Sequence, residues 1–390
     1  MITAPAKPRV LMLSQEVHPI PPMKGAAVEQ WIEAVAHRLK QHVPYVVSVP
    51  HPERPDDEQV GNVHYRRIRM SPLYKRLFRK LTRLDPYPYV SRILRYAHVI
   101  SPDIVHIHNA PQFVDVLSAG LPQAKMVLHM HNEKLDSFHS KVNTLVGCSH
   151  YIQDWYQLRK TPAQRFHVID NGVDPAMFDT SSHRSQVSTI RGRFGVPDDR
   201  FVVLYVGRIS PEKGPDLIVR AMQQLDPEKF HLVISGEWPE GSPERSERVR
   251  YARSLRDMLQ TVPHTITGGV PPAEVPDIYR LGDLLLITSR FEEPFSMVAI
   301  EAMASGLPVM ALRKGGMVEY MVHNENALLL DADASVEAIA SAVREASCSR
   351  DELVRISHHA RHMVETRFGW EEVARQTESL YTVMLSGKAN

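Results

Sequence analysis

The chain is 390 residues long and carries 46 lysines and arginines against 45 aspartates and glutamates, a net charge of +1. At about 100 to 200 residues per domain, this length calls for two or three domains, and the charge balance removes any whole-chain electrostatic case for nucleic acid. Hydrophobic residues at 43% and charged residues at 23% describe a chain that folds, and two cysteines without CxxC spacing, Cys148 and Cys348, point to neither a disulfide framework nor a thiolate metal site.

From the N-terminus, the stretch Met1–Arg9 is short, and the apolar run after it, Val10–Leu13, is too brief for a signal-peptide core. No apolar run approaches the roughly 20 residues that cross a bilayer, so a cytoplasmic protein is expected. Short apolar runs then alternate with helix-patterned segments, the sign of βαβ units on a buried parallel sheet. Strands are expected at Val10–Leu13, Tyr45–Val49, Ile104–Ile107, Met126–Leu128, Thr144–Gly147 and His167–Ile169. The stretch Asp174–Arg200 is polar and serine-rich and reads as an interdomain boundary. The pattern restarts at Phe201–Val206, His231–Ile234, His264–Thr267, Leu284–Thr288, Val309–Ala311 and Ala327–Leu330, after which the chain reads as helical to its end. The expectation is an α/β protein of two doubly wound halves: 1–180, 181–370, and a final helix over 371–390 packing back on the first half.

The first strand leads into a long proline-rich loop and then Gly25-Ala26 at the start of a helix. The G-x-G-x-x-G turn of a nicotinamide enzyme is absent. In the second half, Phe201–Val206 runs into Gly207-Arg208-Ile209-Ser210-Pro211-Glu212-Lys213-Gly214. Two cations at a strand's carboxyl end suit a diphosphate, since ligands of open parallel sheets bind there. Downstream, Glu293-Pro294-Phe295-Ser296-Met297-Val298 leads to Glu301. If both glutamates are helical they lie roughly 12 Å apart along the axis, too far for an acid and nucleophile sharing one bond. They read as two grips on one long ligand, with the helix start offering amides to a phosphate.

Gly207-Arg208 through Lys213-Gly214, Glu293-x-Phe295 through Glu301 to Pro308, and Gly315-Gly316-Met317-Val318-Glu319 together resemble the donor-site signature of retaining glycosyltransferases of family 4, which have the two-Rossmann GT-B architecture. The first half adds Gly25-Ala26, His106-x-His108, His129-Met130-His131-Asn132 and Asn171-Gly172-Val173-Asp174, so the likeness covers nearly the whole chain. His131-Asn132-Glu133 and Phe368-Gly369-Trp370 are similar to spore-coat-polysaccharide-type members. The resemblance implies two Rossmann-like domains facing each other across a cleft. Arg208 and Lys213 would clamp the diphosphate of a nucleotide sugar and Glu293 would bind sugar hydroxyls. Glu301 would take the ribose, and the amides around Ser296, Met297 and Val298 would meet phosphate or sugar. His131 would sit beside the sugar ring, with Gly25, Ala26, Asn171, Gly207 and Phe295 lining the site. Where members of the family usually have Gly-Gly and Phe-Gly, this chain has Gly25-Ala26 and Phe295-Ser296; a serine fits there only with the dihedrals of an ordinary helix start, and a site that needs positive φ conflicts with it.

His106 with His108 and His129 with His131 place rings on one face of neighbouring strands, which makes a metal cluster geometrically possible; packing for one of each pair and an open site for the other is the simpler expectation. Neither a metal nor another cofactor is expected. Asp331-Ala332-Asp333 precedes a helix and reads as capping. From Tyr65 to Leu84 there are eight basic residues and no acidic one, with Leu73, Leu77, Leu81 and Leu84 at helical spacing. This basic amphipathic segment, 65–84, is expected to pack on its own domain, and peripheral contact with the inner membrane face is the functional alternative.

The expected activity is transfer of a sugar from a nucleotide-diphosphate donor, a UDP-sugar above others, to an acceptor hydroxyl of a small molecule, glycan or lipid-linked glycan, with retention. The alternatives are another GT-B chemistry, such as a nucleotide-sugar epimerase or a phosphorylase, and a non-catalytic binder of nucleotide sugar or polysaccharide. The specificity loops are expected at His18–Lys24, His108–Gln112 and Asn132–Asp136.

Overall fold

A computed structural model describes residues 6–23, 25–82, 87–134, 138–178, 186–239 and 246–386. The chain forms two units, Met1–Gly172 with Trp370–Asn390, and Val173–Gly369. The expected boundary at 180/181 lies outside the described residues, and the change of unit comes at 172/173. At the other end, Trp370 already belongs to the first unit.

The strands of the first unit are β1 (Arg9–Leu13), β2 (Val43–Ser48), β3 (Asp57–Val60), β4 (Val63–Arg67), β5 (Ile104–His108), β6 (Lys125–Met130), β7 (Val142–Gly147) and β8 (Ala163–Val168). Their order is β3-β4-β2-β1-β5-β6-β7-β8, parallel throughout except for the antiparallel pair β3–β4. That pair was not expected. Its first strand, Asp57-Glu58-Gln59-Val60, is polar and exposed on an edge, so it lacks the apolar run that marks a central parallel strand. The helices are α1 (Ala27–Ala36), α2 (Pro72–Thr82), α3 (Tyr87–Ile100), α4 (Val114–Gly120) and α5 (His150–Leu158).

In the second unit, α6 (Val187–Phe194), α7 (Pro215–Met222), α8 (Glu247–Leu259), α9 (Val275–Leu281), α10 (Met297–Ala304), α11 (Val336–Cys348) and α12 (Arg350–Met363) surround the sheet of β9 (Phe201–Val206), β10 (Phe230–Ser235), β11 (His264–Gly268), β12 (Leu284–Ile287), β13 (Val309–Leu312) and β14 (Leu328–Leu330). This sheet is wholly parallel, in the order β11-β10-β9-β12-β13-β14. Its core joins β9 and β10 to Ile218 and Met222 of α7, Leu255 of α8 and Val343 of α11. Ser335, rather than the expected Asp331 or Asp333, accepts a hydrogen bond from the Ala338 amide and so caps α11.

The last helix, α13 (Trp370–Ser386), buries Trp370, Val373, Ala374 and Tyr381 against Trp31, Ile32 and Val35 of α1, in the first unit's core. Glu378 accepts from the amides of Lys40 and Gln41, each at 2.6 Å, and so ties α13 to the turn between α1 and β2.

Candidate active site

In an open parallel sheet the crevice opens where strand order reverses, outside the carboxyl ends. The second unit reverses between β9 and β12, and both expected cations follow β9. The chain leaves β9 at Gly207, and Gly236 beyond β10 has φ +153° with no room for a Cβ, which would run into the Gly207 carbonyl. Arg208 is exposed, with its carbonyl held by the Tyr205 hydroxyl at 2.7 Å. Pro211–Lys213 make one tight turn. It is clamped to the β12 end: Thr288 Oγ1 donates to the Gly214 carbonyl at 2.8 Å, and the Arg290 amide donates to Glu212 at 2.8 Å. The Arg290 guanidinium grips both oxygens of Asp216, at 2.7 and 2.6 Å. Burial pushes the Asp216 carboxyl up, but the bonds from Arg290 and Tyr251 outweigh it and hold the group below its ordinary value.

Lys213 and Glu293, 80 positions apart, meet: Lys213 Nζ donates to Glu293 Oε1 at 2.6 Å. Ser289 Oγ donates to the same oxygen, and Lys213 lies 4.8 Å from the Phe291 ring centroid. Glu293 is 4% exposed, and Lys213 and Ser289 are the side chains that satisfy its carboxyl group. Its carbonyl accepts the Gly316 amide at 2.7 Å, and at Gly315, with φ +53°, a Cβ would overlap the Glu293 backbone. The Gly315-Gly316 motif therefore seats Glu293.

Three expectations need correction. Glu293 and Glu301 do not share a helix, because α10 begins at Met297; Glu293 belongs to the preceding loop, so the helical spacing argument does not apply. Ser296 has φ 76° rather than helix-start dihedrals, in the region that favours glycine. The Tyr320 hydroxyl, bonded to the Phe295 carbonyl at 2.5 Å, braces this turn. Finally, the Phe295 ring is packed between Tyr320 and Phe368, with both centroids at 5.3 Å, so it lines no site and only its backbone is available. The half-buried Met297 and Val298 open α10, with their amides in its first turn.

Glu301 Oε2 accepts the Tyr279 hydroxyl at 2.6 Å. Burial raises the Glu301 carboxyl to about 7, against the lowering effect of that bond. Sequence reasoning missed Tyr279, Ser289 and the Asp216–Arg290 clamp, because each acts through another side chain and carries no motif of its own.

In the first unit the order reverses between β1 and β5. Four histidines from the β5 and β6 ends are buried: His106, His108 and His129 fully, and His131 at 8% exposure. This differs from the expected division into packed and open rings, because Trp31 of α1 lies against all four. His131 Nδ1 pairs with Asn171 Oδ1 at 2.9 Å, and its Nε2 with His108 Nδ1 at 3.2 Å, so both ring nitrogens are engaged within the protein. The His131 amide donates to Asn109 Oδ1 at 2.8 Å. Burial lowers His131 to about 4 and His106 to about 3, which keeps these imidazoles neutral. His106, His108 and His129 bring ring nitrogens within 4.8 Å of one another, a set that metal-binding geometry admits. Their ring planes are inclined by only 9° to 35°, as in a packed stack. Gly25 is exposed with open space about its Cα, and Ala26 stands at the N-cap of α1 with φ −143° and ψ 88° and no side-chain bond. Of the expected specificity loops, Lys24 and 135–137 lie outside the described residues.

Residues 28–177 match the family model described as Glycosyltransferase Family 4, and 186–363 match that of Glycosyl transferases group 1. A lipopolysaccharide 1,2-N-acetylglucosaminetransferase of Salmonella typhimurium is 30% identical over 95% of this chain and 97% of its own. The chain belongs to the family 4 glycosyltransferases. Among its relatives in this family, spore coat protein SA of Bacillus subtilis is 26% identical over 96% of this chain and 99% of its own. Two solved structures share the GT-B fold. A sucrose-phosphate synthase from Thermosynechococcus elongatus has TM-score 0.76 at 20% identity over 98% of this chain and 100% of its own. The HepE chain of Anabaena in complex with UDP-glucose has TM-score 0.75 at 21% identity, over 96% and 99%. This chain is accordingly an enzyme of the glycosyltransferase type.

Proposed function

We propose that this glycosyltransferase moves a sugar from a UDP-sugar to an acceptor hydroxyl of a glycan, lipid-linked glycan or small molecule, with retention at the anomeric carbon. The observation that carries the reading is the Lys213–Glu293–Ser289 cluster at the β9/β12 reversal, with Arg208 following the same strand β9; such a reversal is where ligands of open parallel sheets bind, and two cations there suit a diphosphate. The UDP-glucose named in the Anabaena complex supports the choice of donor, and the lipopolysaccharide named for the Salmonella relative supports a glycan acceptor.

In this reading the bond between the anomeric carbon and the donor phosphate oxygen breaks, and the diphosphate leaves with the electron pair. Arg208 and Lys213 stabilise that growing charge. An ammonium has three donors, so Lys213 can keep Glu293 and still meet a phosphate oxygen. The acceptor oxygen attacks from the face the diphosphate leaves, and its proton passes to a departing phosphate oxygen. The second carboxyl oxygen of Glu293, Oε2, takes sugar hydroxyls, Glu301 takes the ribose, and the amides of Ser296, Met297 and Val298 take phosphate or sugar. Charge stabilisation rests on side chains, and this reading assigns no metal and no other cofactor.

No helix among the described residues is long and apolar enough to cross a membrane; we place the enzyme in the cytoplasm, with lipid met only peripherally. The test is a panel of UDP-, GDP- and ADP-sugars followed for donor hydrolysis, with proton NMR of the first product formed. UDP-sugar turnover with retained anomeric configuration is expected, and inversion or a preference for another base contradicts the reading.

A further inference from the structure

A surface helix normally turns its apolar side to the core and its charged side to water. In α2 the sides are exchanged. Leu73, Leu77 and Leu81 are 75%, 54% and 73% exposed, and Tyr74 is 46% exposed. At about 100° per residue the three leucines fall within about 80° of arc, one continuous stripe. The exposed Arg76 and Lys80 border it on one side and Tyr74 on the other. Lys75, on the opposite side, is tied inward to Glu16 at 2.8 Å. The helix is thus anchored by a cation and presents its leucines outward, contrary to the expectation that it packs them on its own domain.

We propose that this face of α2 docks on a membrane surface of anionic lipid, with Leu73, Leu77 and Leu81 entering the acyl boundary and Arg76 and Lys80 meeting lipid phosphates. Charge complementarity selects this occupant: no acidic residue lies between Tyr65 and Leu84, and while Arg66, Arg67, Arg69 and Lys75 are paired with Asp57, Glu58, Asp56 and Glu16, the exposed Arg76 and Lys80 border the apolar stripe and match an anionic interface. A second copy of the chain fits less well, since a two-fold contact through this face would oppose like charges. The docking is independent of the donor chemistry and would bring the enzyme to a lipid-linked acceptor.

The experiment is co-sedimentation of the full chain with phosphatidylcholine vesicles, with and without phosphatidylglycerol, at low and high salt. Binding is expected to phosphatidylglycerol vesicles alone and to weaken with salt. The pair Leu77→Ser with Leu81→Ser, and the pair Arg76→Glu with Lys80→Glu, should each lower the partition constant about tenfold or more. Because these side chains are exposed, circular dichroism and UDP-sugar hydrolysis in solution should stay at the wild-type level, so a failure of docking and a failure of the donor assignment are read separately. Equal binding by wild type and variants, binding indifferent to phosphatidylglycerol, or a wild-type dimer that Leu77→Ser converts to monomers would overturn the proposal.

Discussion

The two units reverse strand order at equivalent places and fill them with opposite chemistry. At β9/β12 the groups are charged and mutually constrained: Lys213 with Glu293, and Arg290 with Asp216. At the β5 and β6 ends they are imidazoles that burial keeps neutral. One fold therefore supplies either fixed charge or a neutral packed wall, depending on whether a glycine-lined loop or an aromatic helix residue, here Trp31, covers the strand ends. A charged site pays for its function in stability when a partner is lost; a neutral one does so when protons arrive.

The comparison breaks most sharply at Lys213. Lys213→Ala strands the buried Glu293 carboxylate, so a loss of about 3 to 5 kcal/mol in stability is expected, besides the activity loss; urea unfolding of wild type against variant measures it. Glu293→Gln in the same chain should restore much of the stability and none of the activity. Arg208→Ala removes an exposed cation, so stability should hold while kcat/KM falls by about 2 to 4 kcal/mol of transition-state stabilisation, as for loss of an oxyanion donor. Unchanged turnover would remove Arg208 from the site.

The neutral wall is tested with acid. The folded values of His106 and His131 lie near 3 and 4, below the ordinary 6.5. Their neutral burial is fully tolerated above about pH 6.5, and stability falls as pH drops below it, because only the unfolded chain takes up protons. The slope is up to about 1.4 kcal/mol per histidine per pH unit. Urea midpoints between pH 7 and 5 should decline, and His106→Phe should flatten the decline; a midpoint constant over that range contradicts the assignment. The smallest effect belongs to Ser296, where glycine relieves a positive φ: Ser296→Gly should raise stability by about 1 kcal/mol, read by thermal unfolding.

The central strands were legible because a parallel strand covered on both faces reads as a continuous apolar run, as Phe201–Val206 does. Asp57–Val60 was not, since an edge strand needs no such run. The cations and glutamates stood out by motif, but no local signal reports that Lys213 and Glu293 touch across 80 positions, or that Ser296 turns to φ 76°. Likewise the periodicity of α2 gave two faces without saying which one meets water. That direction is set by tertiary contacts such as Lys75 with Glu16.

Calorimetric titration of UDP into wild type and Arg208→Ala bears most directly on the diphosphate site. We expect saturable binding to the wild-type chain and an affinity at least about tenfold lower in the variant, the scale of one lost charge-assisted bond. Equal affinity in the two, or no binding to the wild-type chain, would contradict the assignment of Arg208 and its neighbours to the donor.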